Sequence, residues 1–213
     1  GEPSALALSS LQRGLCAPNI KSIITSHLLT IMNDYMQKLD KTVDKMLERL
    51  SLRFPADDMI RLRQAYNLAK EAHEGQKRAA GDPYIMHPVA VATIIAEDFM
   101  MDANSVAAGF LHDVVEDTDT TIDDIRREFG DDVAFLVQVV TKPKSHAPGQ
   151  ADLAKQENNF RQLLDSMRRD IRAVLIKLAD RLHNMRSLGS MQPVKQMKIA
   201  GETDFFYAPF ANR

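Results

Sequence analysis

Apolar residues that return every three or four positions, and nowhere alternate convincingly, leave this chain one kind of fold. From Ile20 they run Ile23, Ile24, Leu28, Ile31, Tyr35, Leu39, Val43, Met46 and Leu50. Those steps mark one amphipathic helix, or two in line. The stripe has few flanking ion pairs to specify a zipper, so packing on the domain core is favoured over a partner-binding coiled coil. No later segment reads as a strand, and the expected fold is all-α.

Capping signals divide the rest. Pro55-Ala-Asp-Asp58 opens a second helix that runs to about His73. Gly75, Gly81 and Asp82-Pro83 make residues 75–86 a loop. Pro88 suits a first helical position and places His87 at a helix N-terminus. Asp102 can cap the next helix, Thr121 to Asp124 resembles a capping box, and Gly130 ends that helix before another begins at Asp131. A mobile loop is expected from Lys142 to Gln150, then helices over Ala151–Met167 and from Asp170 to about Leu188. The organisation expected is a disordered lead (1–19), an N-terminal helical segment (20–54) and one domain (55–213).

Composition removes several classes of function. The net charge of −2 gives no global field for nucleic acid or an acidic membrane. The longest apolar run, Val89 to Ala96, is too short to span a bilayer, and the first twenty residues do not read as a signal peptide. The single cysteine, Cys16, allows no internal disulfide and fits a cytoplasmic location.

Chemistry concentrates in Phe110-Leu-His-Asp-Val-Val-Glu-Asp-Thr118. Four charged or proton-handling side chains fall within six residues of an apolar stretch read as helix. Such a cluster is costly unless something such as a metal neutralises it. Spacing of four would put His112 with Glu116, and Asp113 with Asp117, on shared faces. A second cluster is Ile176 to Arg186, where Asp180 sits mid-helix with Asn184 one turn on and Ser187 two turns on. An Asp there is poorly favoured and calls for a partner, an arginine or a metal. His87 is a third candidate ligand. Two imidazoles and two carboxylates suit a six-coordinate divalent transition ion, able to polarise a phosphoryl oxygen and acidify a water. Glu116 and Asp117 could orient or deprotonate that water. Taken singly, each has a plainer reading. His112 would be a structural histidine, Glu116, Asp117 and Asp119 helix-end charges, and Asp180 a partner of Arg181 or Arg186. His27, His73 and His146 read as surface or core. Jointly the clusters favour a metal site.

Three segments then carry a resemblance: Gly81-Asp-Pro-Tyr-Ile-Met-His-Pro88, Gly109 to Thr121, and Lys177-Leu-Ala-Asp-Arg-Leu-His-Asn-Met-Arg186. Val140-Thr-Lys142, Glu202-Thr and Tyr207-Ala-Pro209 fit as well. From about Ile60 onward the sequence resembles the hydrolase domain of the RelA/SpoT homologue family, which makes and degrades the alarmone (p)ppGpp. The resemblance implies an all-helical HD-domain fold and Mn²⁺ held by His87, His112, Asp113 and Asp180. It assigns Glu116 and Asp117 to water activation, and Arg78, Asn184 and Ser187 to the nucleotide pocket. The implied reaction removes the 3′-pyrophosphate of ppGpp or pppGpp, giving GDP or GTP plus pyrophosphate. By residue type alone, Arg78 would be a solvated loop charge. Ala79 and Ala80 stand where the family often has a basic residue and a serine, which weakens the expected base or phosphate contacts. Ser187 replaces a frequent threonine. Long members continue into synthetase and regulatory domains, so the chain is expected to be the N-terminal part of a bifunctional enzyme. The alternatives are another HD-domain nucleotide phosphohydrolase, or a non-catalytic nucleotide-binding module that regulates a synthetase.

Overall fold

A computed structural model describes residues 20–141 and 152–211. The expected lead, with Cys16, and the loop expected from Lys142 to Gln150 lie outside the described residues, as does His146. The chain divides into two units between Thr42 and Val43. Helix α1 spans Ile20–Leu50 without a break. In its last part Val43, Met46, Leu47 and Leu50 are buried, whereas Ile31, further back, is half exposed.

The larger unit is a helical assembly, as the apolar spacing predicts. Among the described residues no strand forms; the only β-type pairing is a single bridge between Lys77 and Pro83. Its helices are α2 (Ala56–Ala72), α3 (Met86–Thr93), α4 (Ala103–Leu111), α5 (Val114–Asp117), α6 (Ile122–Val140), α7 (Asp152–Met167), α8 (Arg172–Arg186), α9 (Pro193–Glu202) and α10 (Ala208–Ala211). Helix α2 buries Leu62, Ala65, Tyr66 and Ala69, a stripe at steps of three and four. Helix α4 is buried on every side except at Asn104, because α2, α3, α6 and α8 all pack against it. It carries no charged side chain within its span, as full burial demands.

The capping signals act as their chemistry predicts. Asp102 accepts from the backbone N–H of Ser105 at 2.9 Å. Thr121 and Asp124 form a reciprocal capping box at the start of α6. Asp124 is pulled down to about 2 by its bonds to Thr121 and Arg127. At Gly130 the backbone leaves helical geometry (φ 87°), so α6 is two helical stretches meeting at a kink. The break agrees with the sequence, although no loop separates the two stretches.

One glycine sets how closely α3 and α4 approach. A Cβ built on Gly109 would lie 2.7 Å from Ile95 Cδ1 and 3.1 Å from Ala92 Cα. The Gly109 carbonyl also accepts from His112 Nδ1 at 2.9 Å. We expect Gly109→Val to destabilise the protein by about 1–3 kcal/mol through overpacking. Denaturant unfolding would measure it, and an unchanged midpoint would contradict this account of the crossing.

Candidate metal centre

Three elements deliver the candidate ligands. His87 lies in the first turn of α3, two residues further in than the proline signal predicts. The preceding loop is folded tightly. Arg78 N–H donates to Asp82 O at 2.8 Å, Tyr84 N–H donates to Gln76 O at 3.0 Å, and Gly81 takes the positive φ (92°) that the turn requires. His112 and Asp113 do not lie within one continuous helix, contrary to expectation. Helix α4 ends at Leu111, His112 and Asp113 form the junction, and α5 begins at Val114. The Asp113–Asp117 pairing survives, because Asp117 N–H donates to Asp113 O at 2.9 Å across one turn. Asp180 sits in the buried face of α8, with Ala173, Val174, Ile176 and Ala179.

One ligand atom from each of His87, His112 and Asp180 lies within 4.8 Å of the others, and all three residues are buried. His112 Nε2 stands 3.2 Å from His87 Nε2. His87 Nε2 is also 3.2 Å from Asp180 Oδ1. Asp113 Oδ2 approaches from the side, 3.2 Å from His112 Nε2 and 3.5 Å from His87 Nε2. A carbonyl can only accept, so the Gly109 contact places the proton of a neutral His112 on Nδ1 and leaves a lone pair on Nε2. Lone pairs and carboxylate oxygens thus converge on one buried point, an arrangement that fits a cation.

The electrostatics agree. Burial weighs against charge on His112, yet the Asp113 carboxylate raises its pKa above the ordinary imidazole value. Burial lowers that of His87, although Asp180 opposes the change. Asp113 and Asp180 are both held below the usual carboxylate range; burial opposes this but is outweighed, by His112 for the first and by the Lys177 ammonium for the second. The pocket accepts positive charge while its two imidazoles compete for it.

Asp180 is not the partner of Arg181 or Arg186, as the plainer reading had it. Arg181 pairs with Glu202 at 3.0 Å and Arg186 approaches Asp98 at 3.6 Å. Lys177, one turn earlier on α8, takes Asp180 Oδ2 at 2.9 Å. Asn184 Nδ2 donates to Asp180 Oδ1 at 2.6 Å. Arg78 reaches the same helix, donating to Asn184 Oδ1 at 3.1 Å. Ala79 and Ala80 beside it are exposed. Ser187 turns its hydroxyl back to the helix end, toward His183 O at 3.0 Å and Asn184 O at 3.3 Å. Glu116 is half-buried and Asp117 exposed.

Three residues of the site escaped the sequence reading. Tyr84 places its hydroxyl 2.7 Å from Asp113 Oδ2 and 2.9 Å from Asp117 Oδ2. Burial and both carboxylates raise the phenol's pKa, so it stays protonated and donates. Its position three residues before His87 was the available signal. Lys177 is the second, at the i−3 spacing that should have marked it as Asp180's partner. His183 is the third. It is pushed down to about 4 by burial, His87 and Arg78, and its Nδ1 lies 2.7 Å from His87 Nδ1. His73 is a core residue; its Nδ1 meets Gln76 Oε1 at 2.9 Å and its ring packs on Tyr84.

Residues 65–213 match the family model described as HD domain. The bifunctional (p)ppGpp synthase/hydrolase SpoT of Escherichia coli (strain K12) is 50% identical over 159 residues, which is 75% of this chain and 22% of that protein. A GTP pyrophosphokinase of Myxococcus xanthus is 44% identical over 162 residues, 75% of this chain and 21% of its own length. The chain therefore spans about a fifth of the length of the curated relatives it matches. A solved structure of a metazoan SpoT ortholog, described as hydrolysing ppGpp, matches with a TM-score of 0.61 at 29% identity, over 73% of this chain and 88% of its own. Among the described residues no helix is long and apolar enough to cross a membrane.

Proposed function

The chain belongs to the HD-domain family, among homologues of SpoT, and from that premise we propose that it is a metal-dependent (p)ppGpp 3′-pyrophosphohydrolase. One observation carries the reading: the buried set of His87, His112 and Asp180, with Asp113 at its edge, next to Arg78 and Asn184. Two imidazoles with carboxylates suit Mn²⁺, the ion we assign, and that ion, when bound, supplies Lewis-acid polarisation and a more acidic water. The named relatives and the solved neighbour support the substrate, ppGpp or pppGpp.

The chain's own residues divide the remaining work. His87, His112, Asp113 and Asp180 hold the ion. Glu116 and Asp117 take the proton of the attacking water, with Tyr84 fixing the Asp117 carboxylate beside Asp113. Arg78 offers its guanidinium to the nucleotide's phosphate or base, while Asn184 and Ser187 line the same end of α8. Water adds to the phosphorus next to the ribose 3′-oxygen, the P–O bond to that oxygen breaks, and a proton returns to it. The products balance as GDP, or GTP, plus pyrophosphate. We place this activity in residues 55–213, in a cytoplasmic protein, with synthetase and regulatory domains as its partners. No direct contact with nucleic acid or membrane is part of it.

Glu116→Ala tests the division of roles. Manganese binding is expected to persist while pyrophosphate release falls by about 10²–10⁴-fold, the usual range for a lost general base. Metal content and pyrophosphate release of the variant decide it. Full activity would remove Glu116 from the mechanism.

A further inference from the structure

His183 stands between Arg78 and His87. Its Nδ1 is 3.2 Å from Arg78 Nη1 and 2.7 Å from His87 Nδ1. A guanidinium only donates, so His183 Nδ1 is the acceptor of that contact. The same lone pair then faces His87 Nδ1, which must carry a proton to make a bond at 2.7 Å. With its proton on Nδ1, a neutral His87 presents a bare Nε2 to Asp180 and His112. The second path from Arg78 runs through Asn184 to Asp180. Both amide atoms of Asn184 have unambiguous partners, an arginine donor and a carboxylate acceptor, so its orientation is fixed too.

We propose that His183 is a positioning residue: it accepts from Arg78 and from His87 Nδ1–H, and so holds His87 in the one tautomer that can ligate an ion through Nε2. The proposal deepens the metal reading above and rests on it. Its consequence is a physical link between the nucleotide-facing arginine and the ion site. Without Arg78, His183 and His87 can exchange the shared proton, and His87 Nε2 is then protonated in part of the molecules.

Two measurements on the full chain test it. The first is the tautomer of His87 in the metal-free protein, read from the ¹⁵N shifts of its ring. The second is Mn²⁺ affinity, read by titration of free ion. His183→Leu cannot accept a hydrogen bond, and we expect a loss of Mn²⁺ affinity of about 10–100-fold, with His87 no longer confined to the Nδ1–H form. His183→Asn keeps an acceptor near the Nδ1 position and should restore both readings to within a few-fold. Arg78→Ala alters a loop residue and should give a mixed His87 tautomer, which keeps the test available should the leucine variant fold poorly. Equal losses in the asparagine and leucine variants would reduce His183 to a packing role and overturn the proposal. So would a His87 tautomer unchanged in both His183→Leu and Arg78→Ala. The tautomer reading needs neither metal nor substrate, so a chain that fails to hydrolyse ppGpp would refute the proposed function while leaving this test intact.

Discussion

His112→Ala is expected to abolish Mn²⁺ binding at concentrations that saturate the unaltered protein, and with it turnover. The ring is buried and contributes at both of its nitrogens. Nδ1 donates to Gly109 O, which fixes the ring against the closest part of the α3–α4 crossing. Nε2 is one of the two imidazole nitrogens in the candidate set. Truncation removes a ligand and leaves two carboxylates, Asp113 and Asp180, facing a single imidazole. Losing only an outer hydrogen bond to a metal ligand typically costs 10–100-fold in affinity, so loss of the ligand itself should cost more than about 100-fold. Equilibrium metal analysis and a pyrophosphate assay measure the two effects. Retained stoichiometric metal would show that the ion sits elsewhere.

The largest expected effect on stability comes from Asp180→Ala. Asp180 is a candidate ligand and also the counter-ion of Lys177, and both side chains are largely buried, at 10% and 12% exposure. Among the described residues a second acceptor, Val140 O, lies 3.4 Å from the ammonium. Removing Asp180 leaves a buried cation without its paired carboxylate, which costs about 3–5 kcal/mol, because desolvation is no longer offset by a direct ion pair. Replacing the lysine as well, in Lys177→Met with Asp180→Ala, should recover most of that loss, since an apolar pair of similar volume is often neutral or better. Metal affinity should not recover in the double variant. Urea unfolding of the metal-free chains, with Mn²⁺ titration alongside, separates the roles. If the double variant is as unstable as Asp180→Ala, the Lys177 account is wrong. If it binds Mn²⁺ normally, Asp180 is not a ligand.

Both effects turn on residues of unequal visibility in the sequence. The helical fold was legible because apolar steps of three and four report burial directly, as in Leu62, Ala65, Tyr66 and Ala69 of α2. Caps were legible because Asp102, Thr121 and Asp124 act within four residues of themselves. The convergence of His87, His112 and Asp180 was anticipated by their residue types and by the family motifs. The junction at His112 and Asp113 was not, because an apolar run read as one helix gives no sign of a break without glycine or proline. Lys177, Tyr84 and His183 were missed for a common reason. Each acts on a ligand rather than as one, and for Tyr84 and His183 the partner is identified only when α3, α4 and α8 are brought together. Lys177 could have been found, since it shares a helix face with Asp180. His183 could not be distinguished from a surface histidine until its ring nitrogen was seen to meet a second imidazole and a guanidinium.

These side chains describe a site that gathers negative charge and lone pairs in a largely buried pocket, with a guanidinium hydrogen-bonded to His183 and Asn184, the neighbours of His87 and Asp180. The proposed activity of this pocket is cleavage of the 3′-pyrophosphate of a guanosine tetra- or pentaphosphate with the help of a divalent ion. The most direct measurement is to incubate the purified chain with ppGpp and Mn²⁺, with and without chelator, and identify the products. The account predicts GDP and pyrophosphate in equal amounts, no inorganic phosphate, and no turnover with chelator. Release of inorganic phosphate, or turnover that survives removal of the ion, would contradict it.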